Sequence, residues 1–185
     1  MTTPARPADM SDLEWLVAME EIRQLKARRD RYVDAHDWDA LQALHAPDHI
    51  SYHSAVPGAD EPVAWTTSDE MIRNVKYIMT EIDDVTIHHS YDPEIHFDSK
   101  TNARGVWAMC SAKVSDGTKN RAEWQITHGY YYETYEKREG RWLFTTRRWH
   151  RYIATGAKGV IFPVQPISGS EAFDFYGKDF GNKQF

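Results

Sequence analysis

Two side chains set the chemistry open to this chain: Asp34, in Tyr32-Val33-Asp34-Ala35-His36-Asp37-Trp38, and His88, in Thr86-Ile87-His88-His89-Ser90. Upstream of Asp34, the residues Trp15, Met19, Ile22, Leu25, Arg29 and Val33 recur at steps of three or four, the period of one helix face. Asp34 stands at the C-terminal end of that helix, where the dipole disfavours a carboxylate by up to about 1 kcal/mol. Asp37 has a local use, as N-cap of a second helix that begins at Trp38. Asp34 has no such use and asks for a partner. His88 lies in a strand-like segment, where alternation sends His88 and His89 to opposite faces. A carboxylate that holds one imidazole nitrogen leaves the other as a general base near neutral pH. The two side chains are therefore expected within hydrogen-bond reach.

Helices are expected over Asp12–Asp34 and Trp38–His45. A third opens on the capping-box pattern Thr67-Ser68-Asp69-Glu70 and runs to Thr80, with Met71, Ile72, Val75, Ile78 and Met79 on its apolar face. Ala46-Pro47-Asp48 breaks the second helix, His49–His53 reads as a short strand, and Ser54–Trp65 as a loop. From Val85 the period changes to two. Strands are expected at Val85–Ser90, Ile95–Phe97, Ala103–Val114, Ala122–Lys137 and Arg141–Tyr152, with turn signals between them. Helices leading and strands following predict an α+β cone: N-terminal helices on the concave face of a strongly curved antiparallel sheet, with a pocket between. Residues 1–11 are expected to be disordered and residues 12–153 to form one domain. Residues 154–185 are expected to be an arm over the pocket or a subunit interface, because Ile161-Phe162-Pro163-Val164 and Phe173-Asp174-Phe175-Tyr176 are too apolar for a free tail.

Net charge is −6 and Lys/Arg form only short mixed runs such as Lys26-Ala27-Arg28-Arg29, which argues against a nucleic-acid partner. A single cysteine, Cys110, leaves no intramolecular disulfide and fits a reducing cytoplasm. No apolar run approaches the roughly 20 residues of a membrane span. The 7 Trp, 10 Tyr and 7 Phe suit the walls of a pocket for an aromatic small molecule, or an oligomer interface. Trp107 and Met109 read as pocket wall or core. Gly129, Tyr131 and Glu133 share one face of their strand, and His128, Tyr130 and Tyr132 the other. His128 and His150 have no Cys, Asp or Glu at ligand spacing, so no metal is expected there.

Val33-Asp34-Ala35-His36-Asp37-Trp38-Asp39-Ala40-Leu41, then Ile87-His88 followed by Asp92-Pro93 and Ile95, and finally Tyr135-Glu136-Lys137-Arg138-Glu139-Gly140-Arg141-Trp142 occur in an order that resembles the SnoaL-like branch of the NTF2-like superfamily. The likeness covers about residues 13 to 152 and is greatest to scytalone dehydratases, hexachlorocyclohexane dehydrochlorinases and bile-acid 7α-dehydratases. It implies that Asp34 and His88 form the dyad of a cofactor-free elimination. It also implies that Tyr52 polarises substrate through water, that Arg147 is a further catalytic side chain or anion clamp, and that Tyr131 and Gly129 face the pocket. Arg29 replaces a tyrosine of the bile-acid enzymes and Tyr131 an asparagine of the scytalone enzymes, so none of those substrates carries over. The resemblance implies a homotrimer, expected to bury parts of the strands around Trp107, Trp124 and Tyr130. The function it implies is a lyase acting on a hydroxylated aromatic molecule by elimination, or by retro-aldol cleavage that releases formaldehyde, as on lignin-derived diarylpropanes. Two alternatives share the fold: a structural β subunit of a ring-hydroxylating dioxygenase, and an isomerase of the ketosteroid type.

Overall fold

The computed structural model describes residues 6–53, 63–82, 85–115, 123–156 and 159–160. Most of the expected C-terminal arm, and most of the expected loop after His53, lie outside them. Ser11 opens helix α1 (Asp12–Asp34) with a reciprocal cap, its hydroxyl accepting the Glu14 amide while the Glu14 carboxylate accepts the Ser11 amide at 2.7 Å. The inward face of α1 holds Ile22, Leu25, Arg29 and Val33 as expected, and also buries Lys26 and Asp30. Asp37 caps α2 (Trp38–Gln42), accepting the Ala40 amide at 3.2 Å.

That helix is shorter than expected because the chain enters strand β1 (His45–His53) directly, through Pro47. A proline is tolerated there because Pro47 falls where the pairing register slips, between His45 and Ile50, and no ladder donor is needed. β2 (Val63–Trp65) forms where a loop was expected and pairs antiparallel with β1. Three residues are too few to show a period. α3 (Ser68–Tyr77) is capped by Thr67, but the returning Glu70 carboxylate takes the amide of Thr66, one residue earlier than a capping box requires. A wider π-type turn, Ile78–Ile82, extends it.

β3 (Val85–Phe97) joins the two expected short strands through a bulge between Tyr91 and Glu94, where Asp92 adopts φ 47° ahead of Pro93. β4 (Asn102–Ser115), β5 (Glu123–Arg138) and β6 (Arg141–Gly156) follow as a meander, with two residues of β7 (Gly159–Val160) against β6. The sheet order is β2-β1-β6-β5-β4-β3, and β1 runs parallel to β6 while the other pairs are antiparallel. This is the α+β arrangement of an NTF2-like cone, with α1 against β3 and β6 and α3 against β1. No helix among the described residues is long and apolar enough to cross a membrane.

Ile22 and Leu25 of α1 pack with Trp107, Met109, Tyr131, Tyr135 and Phe144 of the sheet. Val33, Leu41, Trp65, Met71, Ile72 and Val75 form a second cluster between the helices and β2. Each fully buried apolar side chain of this size contributes roughly 1.5–3 kcal/mol. Trp107 belongs to the first cluster at 3% exposure, whereas Trp124 is half exposed.

Under this core lie two buried histidines. His45 Nδ1 pairs with the Leu41 carbonyl at 2.8 Å and its ring stacks on Phe144, while His49 bridges the Phe144 carbonyl and the Ser51 hydroxyl. Burial, followed by the proximity of His49 and of the Arg29 guanidinium, pushes His45 well below its ordinary value, and burial with Arg29 pushes His49 down to about 3. Both are neutral in the fold and titrate normally once unfolded. Below pH ~6.5 the unfolded chain therefore binds protons that the folded chain refuses, and stability falls by on the order of 1.4 kcal/mol per pH unit per group. Urea midpoints are expected to drop between pH 7 and pH 5, and His49→Gln is expected to flatten that slope. Equal slopes in the variant and the parent would remove His49 from the account.

Candidate active site

Asp34 is the last residue of α1, and its carboxylate looks across to the first residues of β3. Oδ1 lies 2.6 Å from His88 Nδ1 and accepts the Thr86 hydroxyl at 3.2 Å, while Oδ2 accepts the His88 backbone amide at 2.8 Å. Three donors thus offset the unfavourable helix dipole. Because a carboxylate only accepts, Nδ1 carries the hydrogen, and Nε2 is left with its lone pair. The His88 and Asp34 side chains retain 13% and 21% exposure, enough for a substrate to reach the ring. His89, next along, pairs with Cys110 and has the opposite strand parity.

His88 opens on a cavity of about 370 Å³ between the helices and the sheet. Arg29 and Val33 line it from α1, Trp65 from β2, and Val75, Ile78 and Met79 from α3 and its π turn. Thr86, Ser111, Ala112, Lys113, Gln125, Thr127, Tyr131, Arg147, Trp149 and Arg151 line it from β3 to β6. The lining mixes apolar and aromatic side chains with the cations Arg29, Lys113, Arg147 and Arg151. A smaller hollow of about 190 Å³, between α1 and the β5–β6 turn, shares no lining residue with it.

Behind Tyr131 lies a buried charge network. Lys26 Nζ sits 2.5 Å from Glu133 Oε1, Tyr135 donates to Glu133 Oε2 at 2.6 Å, and Trp107 donates to the Tyr135 oxygen at 2.7 Å. Arg147 Nε reaches Glu133 Oε1 at 3.3 Å, and Arg29 Nη1 lies 3.5 Å from Asp30. Lys26 Nζ and the Arg147 guanidinium carbon each stand 3.9 Å from the Tyr131 ring centroid, cation–π contacts in a dry site. Burial lowers Lys26 to about 8 against the pull of Glu133, and raises the Tyr131 phenol to about 12. Burial raises the Asp30 carboxyl, but Lys26 and Arg29 more than offset it, so Asp30 is ionised.

Of the residues singled out from the sequence, Arg29, His88, Tyr131 and Arg147 line one cavity and Asp34 stands directly behind His88. The other four lie elsewhere. Tyr52 pairs with Arg148, whose guanidinium carbon is 4.8 Å from its ring, and so takes the outer strand parity; Ser51, paired with Arg147, is the inward residue. Trp107 and Met109 are core rather than cavity wall. Gly129 contributes a close approach: at the β5–β6 bulge a Cβ there would stand 2.1 Å from the His150 carbonyl oxygen. Lys26, Asp30, Thr86, Thr127, Lys113 and Trp149 were missed as participants. Lys26 and Asp30 share the stripe of Ile22, Arg29 and Val33, so helical period alone places them inside despite their charge.

This geometry has recognisable parallels. A scytalone dehydratase-like protein of Novosphingobium aromaticivorans is 24% identical and superposes with a TM-score of 0.68, over 85% of this chain and 97% of that one. A type-3 hexachlorocyclohexane dehydrochlorinase, LinA, of Novosphingobium barchaimii is 18% identical with a TM-score of 0.69, over 84% of this chain and the whole of that one. An NTF2-like protein of Pseudomonas putida, 14% identical, matches at 0.58 over 82% of this chain and 98% of its own length. At these identities the likeness is one of fold. The sequence model of the SnoaL-like domain matches residues 14–148, and the chain belongs to the SnoaL-like family.

Proposed function

We propose that the protein is a cofactor-independent lyase for a hydroxylated aromatic small molecule, with His88 as general base and Asp34 as the group that orients and charges it. The observation that carries this reading is the 2.6 Å Asp34–His88 contact at the wall of an aromatic-lined cavity. In dehydration, Nε2 takes a carbon-bound proton as the hydroxyl on the adjacent carbon departs, and the imidazolium can return the proton to the leaving oxygen. In retro-aldol-type cleavage, Nε2 takes the proton of a primary alcohol and the C–C bond breaks to release formaldehyde. Its electron pair forms the conjugated alkene as the hydroxyl on the neighbouring carbon leaves, the imidazolium returning the proton so that it departs as water. The same base serves both. The cations of Arg29 and Arg147 favour whichever intermediate carries negative charge. The aromatic lining by Trp65, Tyr131 and Trp149 supports a ring-bearing substrate.

The deciding experiment incubates the purified chain with 1,2-diarylpropane-1,3-diols and with 1-aryl-3-hydroxypropan-1-ones, following formaldehyde and conjugated alkene separately. Alkene without formaldehyde means dehydration, and formaldehyde, with or without alkene, means C–C cleavage. Neither product from either series would sink the lyase reading.

A further inference from the structure

Five ionisable side chains converge on the inner end of the cavity, three basic and two acidic, so their formal charges do not balance. Lys26, Arg29 and Arg147 face Asp30 and Glu133, and all five are at most 7% exposed. Glu133 is engaged by Lys26 at 2.5 Å and by Tyr135 at 2.6 Å, leaving Arg147 only a 3.3 Å ion pair to an oxygen that Lys26 already holds. Asp30 reaches Arg29 only at 3.5 Å. Among the described residues, neither Arg29 Nε nor Arg147 Nε has a hydrogen-bond partner. The two guanidiniums are close enough for Arg147 to depress the ionisation of Arg29, after burial itself, so each raises the energy of the other's charge. Farther along the same wall stand Lys113 and Arg151, which have interactions of their own, and none of the described lining residues is a carboxylate. In a chain of net charge −6, the described wall of this aromatic cavity is thus rich in cations.

We propose that this end of the cavity is a carboxylate subsite: the substrate is an aromatic acid whose carboxylate docks between Arg29 and Arg147. Resting on the lyase reading, this narrows the substrate class from a hydroxylated aromatic to a hydroxylated aromatic acid. The planar fork of a guanidinium matches two carboxylate oxygens, and an anion between two such forks relieves their repulsion. A phenolate offers one oxygen and requires a proton to be lost first, so it fits the pair less well. The strand register keeps this subsite distinct from the base. Arg147 pairs with Glu133, whereas His88 pairs through Ser111 with Thr127, six residues away along β5. The Tyr131 ring lies between the two layers, 3.9 Å from the Arg147 guanidinium. The acid is therefore separated from the reacting carbon by at least a ring.

The test is a binding titration on the full chain, read by quenching of tryptophan fluorescence, with 3-phenylpropanoate, its amide 3-phenylpropanamide and 4-ethylphenol as probes. The carboxylate is expected to bind at least 10-fold more tightly than the amide, with affinity level between pH 6 and 7, below the range in which Lys26 loses its proton. Arg147→Met and Arg29→Met should erase the preference, and His88→Ala should keep it. Equal affinity for acid and amide in the parent protein overturns the subsite, with no need of any variant. So does a preference for 4-ethylphenol that strengthens as pH rises, which would make the ligand a phenolate. Because none of these readings requires turnover, a chain that binds acids selectively yet forms neither alkene nor formaldehyde would overturn the lyase reading alone.

Discussion

Exchange of His88 for alanine, or of Asp34 for asparagine, is expected to lower kcat by about 10²–10⁴-fold on whichever compound is turned over. The asparagine variant is the more informative of the two. Asp34 accepts from three donors, the His88 ring, the His88 amide and the Thr86 hydroxyl. A carboxamide has one accepting oxygen and an NH₂ group that would face one of those donors. Either the imidazole turns, or its tautomer reverses and Nε2 carries the hydrogen, and both remove the base. The loss should appear in kcat, with binding of an unreactive acid little changed. A variant that keeps full kcat would remove Asp34 from the mechanism, and a variant that fails to bind the acid would show that the carboxylate shapes the cavity rather than the base.

A large loss of stability is expected from Glu133→Gln, on the order of 3–5 kcal/mol, because it strips the shared counter-charge from Lys26 and Arg147 while the volume is kept. Lys26 has an escape that Arg147 lacks. Already pulled to about 8 by burial, it would shed its proton once Glu133 is neutral. The lysine would then be neutral when folded and charged when unfolded, a depressed ionisation whose stabilising effect fades as pH falls. The variant should therefore regain stability from pH 7 toward pH 9, where the parent has less to gain. Adding Lys26→Met should restore much of the loss by removing the orphaned cation. Urea unfolding across that pH range measures all three effects. A Glu133→Gln variant as stable as its parent would mean that water or another group compensates these charges.

Helix α1, its buried face and the Asp37 cap were legible because each rests on a local rule: period, and one side chain beside one amide. The Asp34–His88 pair was legible for a related reason, since a carboxylate at the wrong end of a helix dipole needs donors from elsewhere. Tyr52 shows where that reasoning stops. Which face of a strand looks inward depends on the register with its neighbour, and β1 is neighbour to β6, a parallel pairing between distant segments with a slip at Pro47. Nothing local encodes that slip, and one residue of it exchanges Tyr52 for Ser51. Gly129 shows a second limit: its strand parity was readable, since Thr127 and Tyr131 on either side line the cavity, but the extra residue that β6 carries opposite it, Tyr152, appears only in the pairing with the partner strand. Lys26 and Asp30 show a third. Their position on the helix was readable, but their charge suggested solvent, and only Glu133 and Arg29, brought close by the fold, make their burial tolerable.

Among the described residues β3 is the outermost strand at its end of the sheet, and an outermost strand presents unpaired amides on which another chain can build. The His88 amide is one of these, and it is occupied: Asp34 Oδ2 takes it at 2.8 Å from the end of α1. Farther along, Asp92 at φ 47° and Pro93 bend the strand and remove another donor. The carboxylate that aims the imidazole is thus also a guard against intermolecular strand addition. Loss of that carboxylate would leave the start of β3, with Val85 and Ile87 already half exposed, open to self-association. Selection for solubility and selection for reactivity then act on the same oxygen atoms, and a variant of Asp34 recovered from aggregates could be mistaken for one that had lost only its chemistry.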